Sequence, residues 1–142
     1  MAKQLNVFAE NRPGRLESVA KIFAEQNINI RTMTIQDRGD FGLLKILVDK
    51  PNEAYLALAN EGFACALKDI LAIALEDKPG SFYKLTTVLL KHNINIQDAY
   101  GFVVDSKKEA VLCVEVKEPE VIKSTLKKEG FKILEDSQLY EL

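Results

Sequence analysis

The sequence predicts an α+β fold in which one strand-helix-strand-strand-helix-strand unit occurs twice. The first observation behind this prediction is an internal repeat: residues 11–16 and residues 77–82 share a Pro-Gly turn at the same place, 66 positions apart (80 − 14 = 66). Both copies then continue through a helical pattern to an identical Asn-Ile-Asn-Ile run, at 27–30 and 93–96. The second observation is that strands and helices follow in the same order in both halves. A repeat of this length indicates a duplicated small unit.

The first half of copy one follows from hydrophobic periodicity. Residues 3–9 are a predicted strand, and residues 11–14 are a turn with helix-start chemistry: a side-chain acceptor, a proline and a glycine. An amphipathic helix follows, because apolar residues recur there at helical spacing. These residues are Leu16, Val19, Ala20 and Phe23. Residues 28–36 alternate between apolar and polar, which predicts a strand with an irregularity near Arg31 and Thr32.

The second half of copy one completes the unit. Residues 42–48 return as a strand across a polar hairpin turn. Pro51 stands at the first position of a second helix, over residues 52–61, which stops at Gly62. Residues 63–67 then make a fourth strand.

Copy two repeats this order. Residues 70–75 are its first predicted strand, residues 94–104 and 110–116 its hairpin, and residues 119–129 its second helix. The apolar stripe of its first helix corresponds to that of copy one. It consists of Phe82, Leu85, Thr86 and Leu89.

This order is that of the ferredoxin-like sandwich, so the predicted architecture is two such βαββαβ units, over residues 1–68 and 69–142, packed side by side. Units of this size are marginally stable alone, which favours packing together. Only Lys68 and Asp69 separate the fourth strand of copy one from the first strand of copy two. The tail, residues 137–142, matches a first strand, and we expect it to add a strand to a sheet edge.

Composition excludes several classes of protein. A net charge of −2, with both signs interspersed, gives no basic surface for nucleic acid or a membrane. The chain has no signal-peptide core and no apolar run near the ~18 residues that a membrane span needs, so we expect a cytoplasmic protein. Cys65 and Cys113 lack metal or redox spacing and lie in apolar segments, which favours buried free thiols; a disulfide or a metal pair is the alternative.

Catalysis has little support in the sequence. The single histidine, His92, lies near the end of a helix, where a surface or interface role is expected. No nucleophile elbow, phosphate loop, zinc spacing or dinucleotide fingerprint is present. We therefore expect no enzyme activity, no metal and no cofactor.

The repeated turn is the best candidate for a binding site. A helix N-terminus presents unpaired backbone N–H groups and a partial positive charge, and Gly14 and Gly80 leave those groups accessible to an anion. Asn11 can both donate and accept hydrogen bonds, and Asn29 and Asn95, between isoleucines, would need partners if buried. The alternative is structural, because Asn/Asp-x-Pro-Gly is also a good helix start and Asn-Ile-Asn-Ile a good turn into a strand.

At these residues the sequence resembles an ACT domain, present twice. Residues 11–14, residues 21–26 and residues 29–30 closely resemble the regulatory domain of phosphoglycerate dehydrogenase, and the whole chain is similar to stand-alone tandem-ACT proteins that bind amino acids. The resemblance implies that a free amino acid binds where the first loop of one unit faces the helix and second strand of its neighbour. With the interface side chains expected to select the ligand, the candidate ligand-binding residues are Asn11, Pro13, Gly14, Leu16, Asn29, Arg31, Asp77, Gly80, Phe82, Asn95 and Gln97.

Two departures from the family pattern qualify this expectation. Ala9 stands where serine-sensing relatives carry a histidine, which argues against serine as the ligand. Asp77 replaces Asn11 in copy two, so the two sites should be unequal. An ionised Asp77 repels a carboxylate and attracts an α-ammonium group, which would reverse the pose of the ligand or leave the second site empty.

The resulting hypothesis is a cytoplasmic amino-acid sensor of amino-acid metabolism. A ligand that bridges two units would favour one mutual arrangement and so signal to a metabolic enzyme partner. We also expect a homodimer, because ACT units commonly join into larger sheets. The alternative is an interaction module that binds nothing small and docks an enzyme through a sheet edge.

Overall fold

The computed structural model describes all of residues 1–142 and divides them into two compact units. The first unit comprises Lys3–Lys68 with Glu141, and the second unit comprises Asp69–Tyr140 with Met1–Ala2 and Leu142. Each unit has the βαββαβ order, so the predicted α+β fold class is confirmed.

The first unit is an antiparallel sheet with two helices. Its elements are β1 (Ala2–Glu10), α1 (Arg15–Glu25), β2 (Ile30–Arg38), β3 (Phe41–Val48), α2 (Pro51–Asn60) and the beginning of β4 (Ala64–Glu76). β3 pairs with β1 and β2, which gives the strand order β2-β3-β1-β4. The register of β2 shifts between Ile30 and Thr32, which confirms the irregularity that the sequence predicts there.

The core of the first unit forms between the sheet and its helices. Alternate residues of β1, among them Leu5 and Val7, are fully buried and pack with Val19 and Phe23 of α1 and with Leu58 of α2. This alternation is what one covered face of a sheet requires. Val19 and Phe23 of the predicted apolar stripe of α1 are therefore confirmed as core residues, whereas Leu16, at 43%, and Ala20 are exposed.

The second unit has the same architecture. β4 continues into it, followed by α3 (Ser81–Lys91), β5 (Asp98–Asp105), β6 (Glu109–Glu115), α4 (Pro119–Lys128), β7 (Lys132–Leu134) and α5 (Asp136–Tyr140). β4 pairs with β6 and β7, and β5 with β6, so the order is β7-β4-β6-β5. None of the helices in residues 1–142 is long and apolar enough to cross a membrane.

Two sequence-based predictions about the ends of the second unit were wrong. β4 runs without interruption through Lys68 and Asp69, because neither residue forces a turn on an extended backbone. The tail is a short helix, not an edge strand: Asp136 and Ser137 are residues that favour helix starts, and the Leu139 N–H donates to the Glu135 carbonyl oxygen at 2.9 Å. This turn buries the Leu139 side chain completely.

Substitution of a core leucine should destabilise the second unit. Leu126 on α4 is fully buried with Leu71, Ile73 and Leu85. We expect Leu126→Ala to lower the free energy of unfolding in urea by about 2–5 kcal/mol, because it removes packed methyl groups and leaves a cavity. The matched control is Val121→Ala on the same helix, which is 61% exposed and should change it by less than about 0.5 kcal/mol. An equal loss of stability in the two variants would contradict the burial of Leu126 in the core.

An ion pair beside β7 should make stability depend on pH. Lys123 and then the Met1 ammonium group, 2.8 Å away, lower the pKa of Glu135 to about 2. Because this is below the unfolded value of about 4.3, the carboxylate stabilises the fold fully above that pH, and the contribution is lost as the pH falls through 2. The side chain is 37% exposed, so solvent screening limits the contribution to about 1 kcal/mol.

We therefore expect Glu135→Gln to lower the free energy of unfolding by up to about 1 kcal/mol at neutral pH, and the difference from wild type to narrow between about pH 4 and about pH 2. Urea unfolding at several pH values measures this difference. Glu61→Gln, at an exposed position, is the control and should show no such narrowing. A difference for Glu135→Gln that stays constant with pH would contradict the ion pair.

Candidate functional site

The two repeated turns adopt the same backbone conformation. Gly14 and Gly80 each have φ +91° and ψ −17°, in the left-handed region, and each is the N-cap of a long helix without a side-chain cap. Glycine suits this conformation because a Cβ is strained there. A Cβ on either glycine would meet no atom within 4 Å, so the space beside each turn is open. We call these two turns, residues 11–16 and 77–82, the first corner and the second corner.

Each corner exposes the start of its helix. The first helical hydrogen bonds run from the Ser18 N–H to the Gly14 oxygen at 3.0 Å and from the Lys84 N–H to the Gly80 oxygen at 2.9 Å. The backbone N–H groups of the residues just before have no backbone acceptor. They belong to Leu16 and Glu17 in the first corner and to Phe82 and Tyr83 in the second. Such groups, with the dipole of the helix, favour an anion.

Asn11 and Asp77 tie their corners to the neighbouring hairpin tips. The Asn11 amide nitrogen donates to the Asp37 carboxylate at 2.9 Å and to the Gly39 oxygen at 3.0 Å. Asp77 accepts a hydrogen bond from the Lys107 N–H at 2.7 Å. The Asn11 side chain therefore has only its oxygen left to offer a ligand, and the Asp77 carboxylate is already bonded at one oxygen. Pro13 is exposed at the first corner.

The helix–strand junctions lie at the other end of each helix. α1 has 11 residues, so Asn29 and Arg31 are separated from the first corner by roughly 16 Å of helix. Asn29 and Asn95 are exposed, so burial does not require a partner for either side chain. Within one unit, a single amino acid cannot contact the corner and the junction together.

A cavity of about 410 Å³ lies at the junction of the second unit and is lined by Asn95, Gln97, Lys117 and Val121. The sequence placed Asn95 and Gln97 in a strand, but β5 begins only at Asp98. The Ile94 N–H donates to the Leu89 oxygen at 2.8 Å, as the Ile28 N–H does to the Phe23 oxygen at 2.9 Å in the first unit, where the strand begins at Ile30.

A second cavity, of about 260 Å³, lies behind the second corner, between the start of α3 and β7. We call it the corner cavity. Leu75 and Phe131 form apolar parts of its wall, and Ser81, Lys84 and Lys132 contribute polar groups. Of the predicted site residues only Gly80 lines it. Sequence reasoning missed the other residues because Lys84 and Lys132 look like ordinary solvated charges. The replacement of Arg15 in the first copy by the smaller Ser81 in the second was a signal that could have found the cavity.

The matching place in the first unit is occupied by a side chain. The Arg15 guanidinium carbon lies 4.3 Å from the centre of the Phe63 ring, a cation–π contact. Arg15 corresponds to Ser81, 66 residues later in the sequence. Phe63 corresponds to Phe131, 68 residues later, because the hairpin tip of copy two is longer. Phe63 is buried, whereas Phe131 is only partly buried.

His92 is held by an acidic side chain at the surface. Its Nε2 lies 2.7 Å from Glu129 Oε1, and Lys91 Nζ lies 2.8 Å from the same oxygen. Lys91 and then His92 lower the pKa of Glu129. This contact fits the surface role expected for the histidine.

Both cysteines are free thiols as the sequence predicts, but only Cys113 is buried, whereas Cys65 is partly buried. Burial raises the pKa of Cys113 to about 12, and burial also raises the pKa of the partly buried Cys65. No group of three or more His, Cys, Asp and Glu side chains in residues 1–142 is arranged to hold a metal ion.

Comparison with known proteins shows which family this chain resembles. The family profile described as ACT domain pair matches residues 1–142. Protein BT0572 from Bacteroides thetaiotaomicron is similar in structure, with a TM-score of 0.92 and 32% identity over 99% of this chain and 96% of that chain. No curated protein sequence matches significantly.

Two more distant structures share the fold. The regulatory subunit of aspartate kinase from Thermus thermophilus has a TM-score of 0.62 at 16% identity, over 90% of this chain and 92% of that one. The corresponding subunit from Thermus flavus has a TM-score of 0.58 at 16% identity, over 89% and 90%. At this identity the similarity shows the fold alone.

The difference in burial between the thiols should appear as a difference in reactivity. Because Cys113 is 1% exposed and its pKa is raised to about 12, we expect a thiol reagent at mildly alkaline pH to label native protein at Cys65 first. Labelling in denaturant should reach both cysteines. Mass spectrometry of labelled peptides measures the two rates, with Cys65→Ser as the control that removes the faster one. Faster labelling of Cys113 would contradict the structure.

Proposed function

The chain belongs to the ACT domain pair family, and on that premise we propose that it is a regulatory protein of amino-acid metabolism that binds a free amino acid. The observation that carries the proposal is the pair of corners. Two copies that differ in most side chains keep the same glycine conformation, the same uncapped helix start and the same open space. The backbone N–H groups that follow each glycine have no backbone acceptor, and an α-carboxylate can bind such groups.

The proposed pose places the carboxylate of the amino acid on the backbone N–H groups that follow Gly14 or Gly80. At the first corner the remaining oxygen of Asn11 accepts from the α-ammonium group, and at the second corner the Asp77 carboxylate attracts it. The exposed side chains of Leu16 and Phe82 contact the ligand side chain. In this proposal Asn29, Arg31, Asn95 and Gln97 come to the ligand from a neighbouring unit, because in their own unit they lie too far from the corner.

Regulation follows if the ligand binds one arrangement of units better than another. Binding then shifts the population of arrangements by the difference in affinity. We propose that a metabolic enzyme in the cytoplasm senses this shift, and that the protein acts as a homodimer without catalysing a reaction. The shared fold with regulatory subunits of aspartate kinase supports a regulatory role.

Titration of the full-length protein against the twenty amino acids tests the proposal. We expect calorimetry to detect at least one ligand, with micromolar to millimolar affinity because the ligand is small, and that ligand to raise the melting temperature. Gly14→Ala and Gly80→Ala should weaken binding about tenfold or more, because a Cβ then occupies the corner. Gly62→Ala is the matched control, since Gly62 also has a positive φ, +85°, and open space around it. It should lose similar stability and keep the affinity.

If no amino acid binds or stabilises the folded wild-type protein, the sensor proposal is wrong. Binding that is unchanged in both corner variants would place the ligand elsewhere and contradict the proposed pose.

A further inference from the structure

We propose that the corner cavity of the second unit is a binding site for a small dicarboxylate. The proposal deepens the proposed function, because it names a ligand class for the second unit. It rests on the proposed function only in that Gly80, a residue of the second corner, also lines the corner cavity. The cavity lies within one unit, between the start of α3 and β7, and its size of about 260 Å³ suits a metabolite of a few carbon atoms rather than a drug-sized molecule.

The charges at the cavity favour an anion with more than one negative group. Both acidic side chains at its wall already have partners: Glu76 pairs with Lys78 at 2.6 Å, and Glu129 pairs with Lys91 at 2.8 Å. Lys84 and Lys132, in contrast, make no ion pair. Lys78 and, to a smaller extent, Lys84 nevertheless lower the pKa of the Glu76 carboxyl, so the cavity is lined by two ammonium groups outside any close ion pair, one of them near a carboxylate.

The first unit provides an internal comparison for this site. Where the second unit has Lys84, the first has Ser18, whose hydroxyl donates to the Gly14 oxygen at 2.9 Å. Where the second unit has Lys132, the first has Ala64. The Glu–Lys pair at the second corner, however, has an equivalent in the first, Glu10 with Arg12 at 2.5 Å. The two copies thus keep the pair that belongs to the shared turn and differ in the charges of the cavity.

The space differs in the same way as the charge. In the first unit the Arg15 guanidinium lies over Phe63, whereas in the second unit the serine at the matching position leaves the edge of the cavity open beside Phe131. The ring of Phe131 and the side chain of Leu75 can contact the carbon chain of a ligand, and the two lysines can bind its carboxylates. An α-amino group is not required, because neither acidic side chain of the wall lacks a partner.

Calorimetry with succinate, L-glutamate and L-glutamine at low ionic strength tests the site. We expect succinate or L-glutamate to bind. L-glutamine lacks the second carboxylate, and we expect its affinity to be lower by a factor of about ten or more. Binding of succinate would mean that no amino group is needed; binding of L-glutamate alone would identify the dicarboxylate as an acidic amino acid. Affinity should fall as salt is added. If neither dicarboxylate binds, the proposal is overturned.

Variants locate the ligand. Lys84→Gln and Lys132→Gln should each weaken dicarboxylate binding about tenfold. Lys128→Gln is the matched control, an exposed lysine of α4 outside the cavity, and should leave it unchanged. Ser81→Arg introduces the residue that the first copy tolerates at this position and should abolish binding by closing the cavity. Arg15→Ser, in the first unit, should have no effect on it.

Melting temperatures of all variants establish that they are folded. Dicarboxylate binding that survives both Ser81→Arg and the loss of either lysine would overturn the proposal. The amino-acid proposal can fail independently of this one: if amino acids bind and Gly14→Ala weakens them while succinate and L-glutamate do not respond to Ser81→Arg, only the cavity is refuted. If succinate binds in the cavity and no amino acid binds anywhere, only the sensor is refuted.

Discussion

The left-handed turn at Gly14 and Gly80 is the constraint on which each unit depends. The chain must leave the first strand of the unit and enter a helix that lies across the sheet, and a φ of +91° makes that change of direction within one residue. The residue three positions before, Asn11 or Asp77, fixes the turn to the hairpin tip. The helix is then oriented with its buried residues toward the sheet. The same turn leaves the helix start uncapped, so the fold and the candidate site share one cause.

Much of the fold could be predicted because it is written in local patterns. Helical spacing located α1 and α3, and Pro51 and Gly62 marked the beginning and end of α2. The failures occurred where local patterns are too short or tertiary contacts decide. The tail is too short for its periodicity to separate a strand from a helix, and the helix that forms there buries Leu139 completely. The late start of β5 has no local signal either, because the Asn-Ile-Asn-Ile run before it is identical to the one before β2.

The candidate site, like the fold, could be predicted only in part from the sequence. The corners could be located from sequence because the repeat makes a proline and a glycine stand out. The corner cavity could not, because it forms where Ser81 meets Phe131, 50 positions further along the chain (131 − 81 = 50). Neither residue carries a binding signal of its own. The sequence also predicts that one amino acid contacts both a corner and a helix–strand junction. Within one unit these two places are separated by the length of α1, so Asn29 and the corner of the same unit do not form one site.

The two copies differ in the contacts that they make at the place of the corner cavity. The contact of Arg15 with Phe63 stabilises the first unit by roughly 0.5–1 kcal/mol at such a partly exposed site, and the second unit gives this contact up. In its place the second unit keeps Phe131 partly accessible and sets two lysines beside it without ion pairs. All of these differences fall at one cavity. In the first unit the same arginine leaves its buried Nε without a hydrogen-bond partner, a cost that offsets the contact with Phe63. The proposal of a ligand site in the second unit, and of none at the matching place in the first, rests on these differences in space and charge.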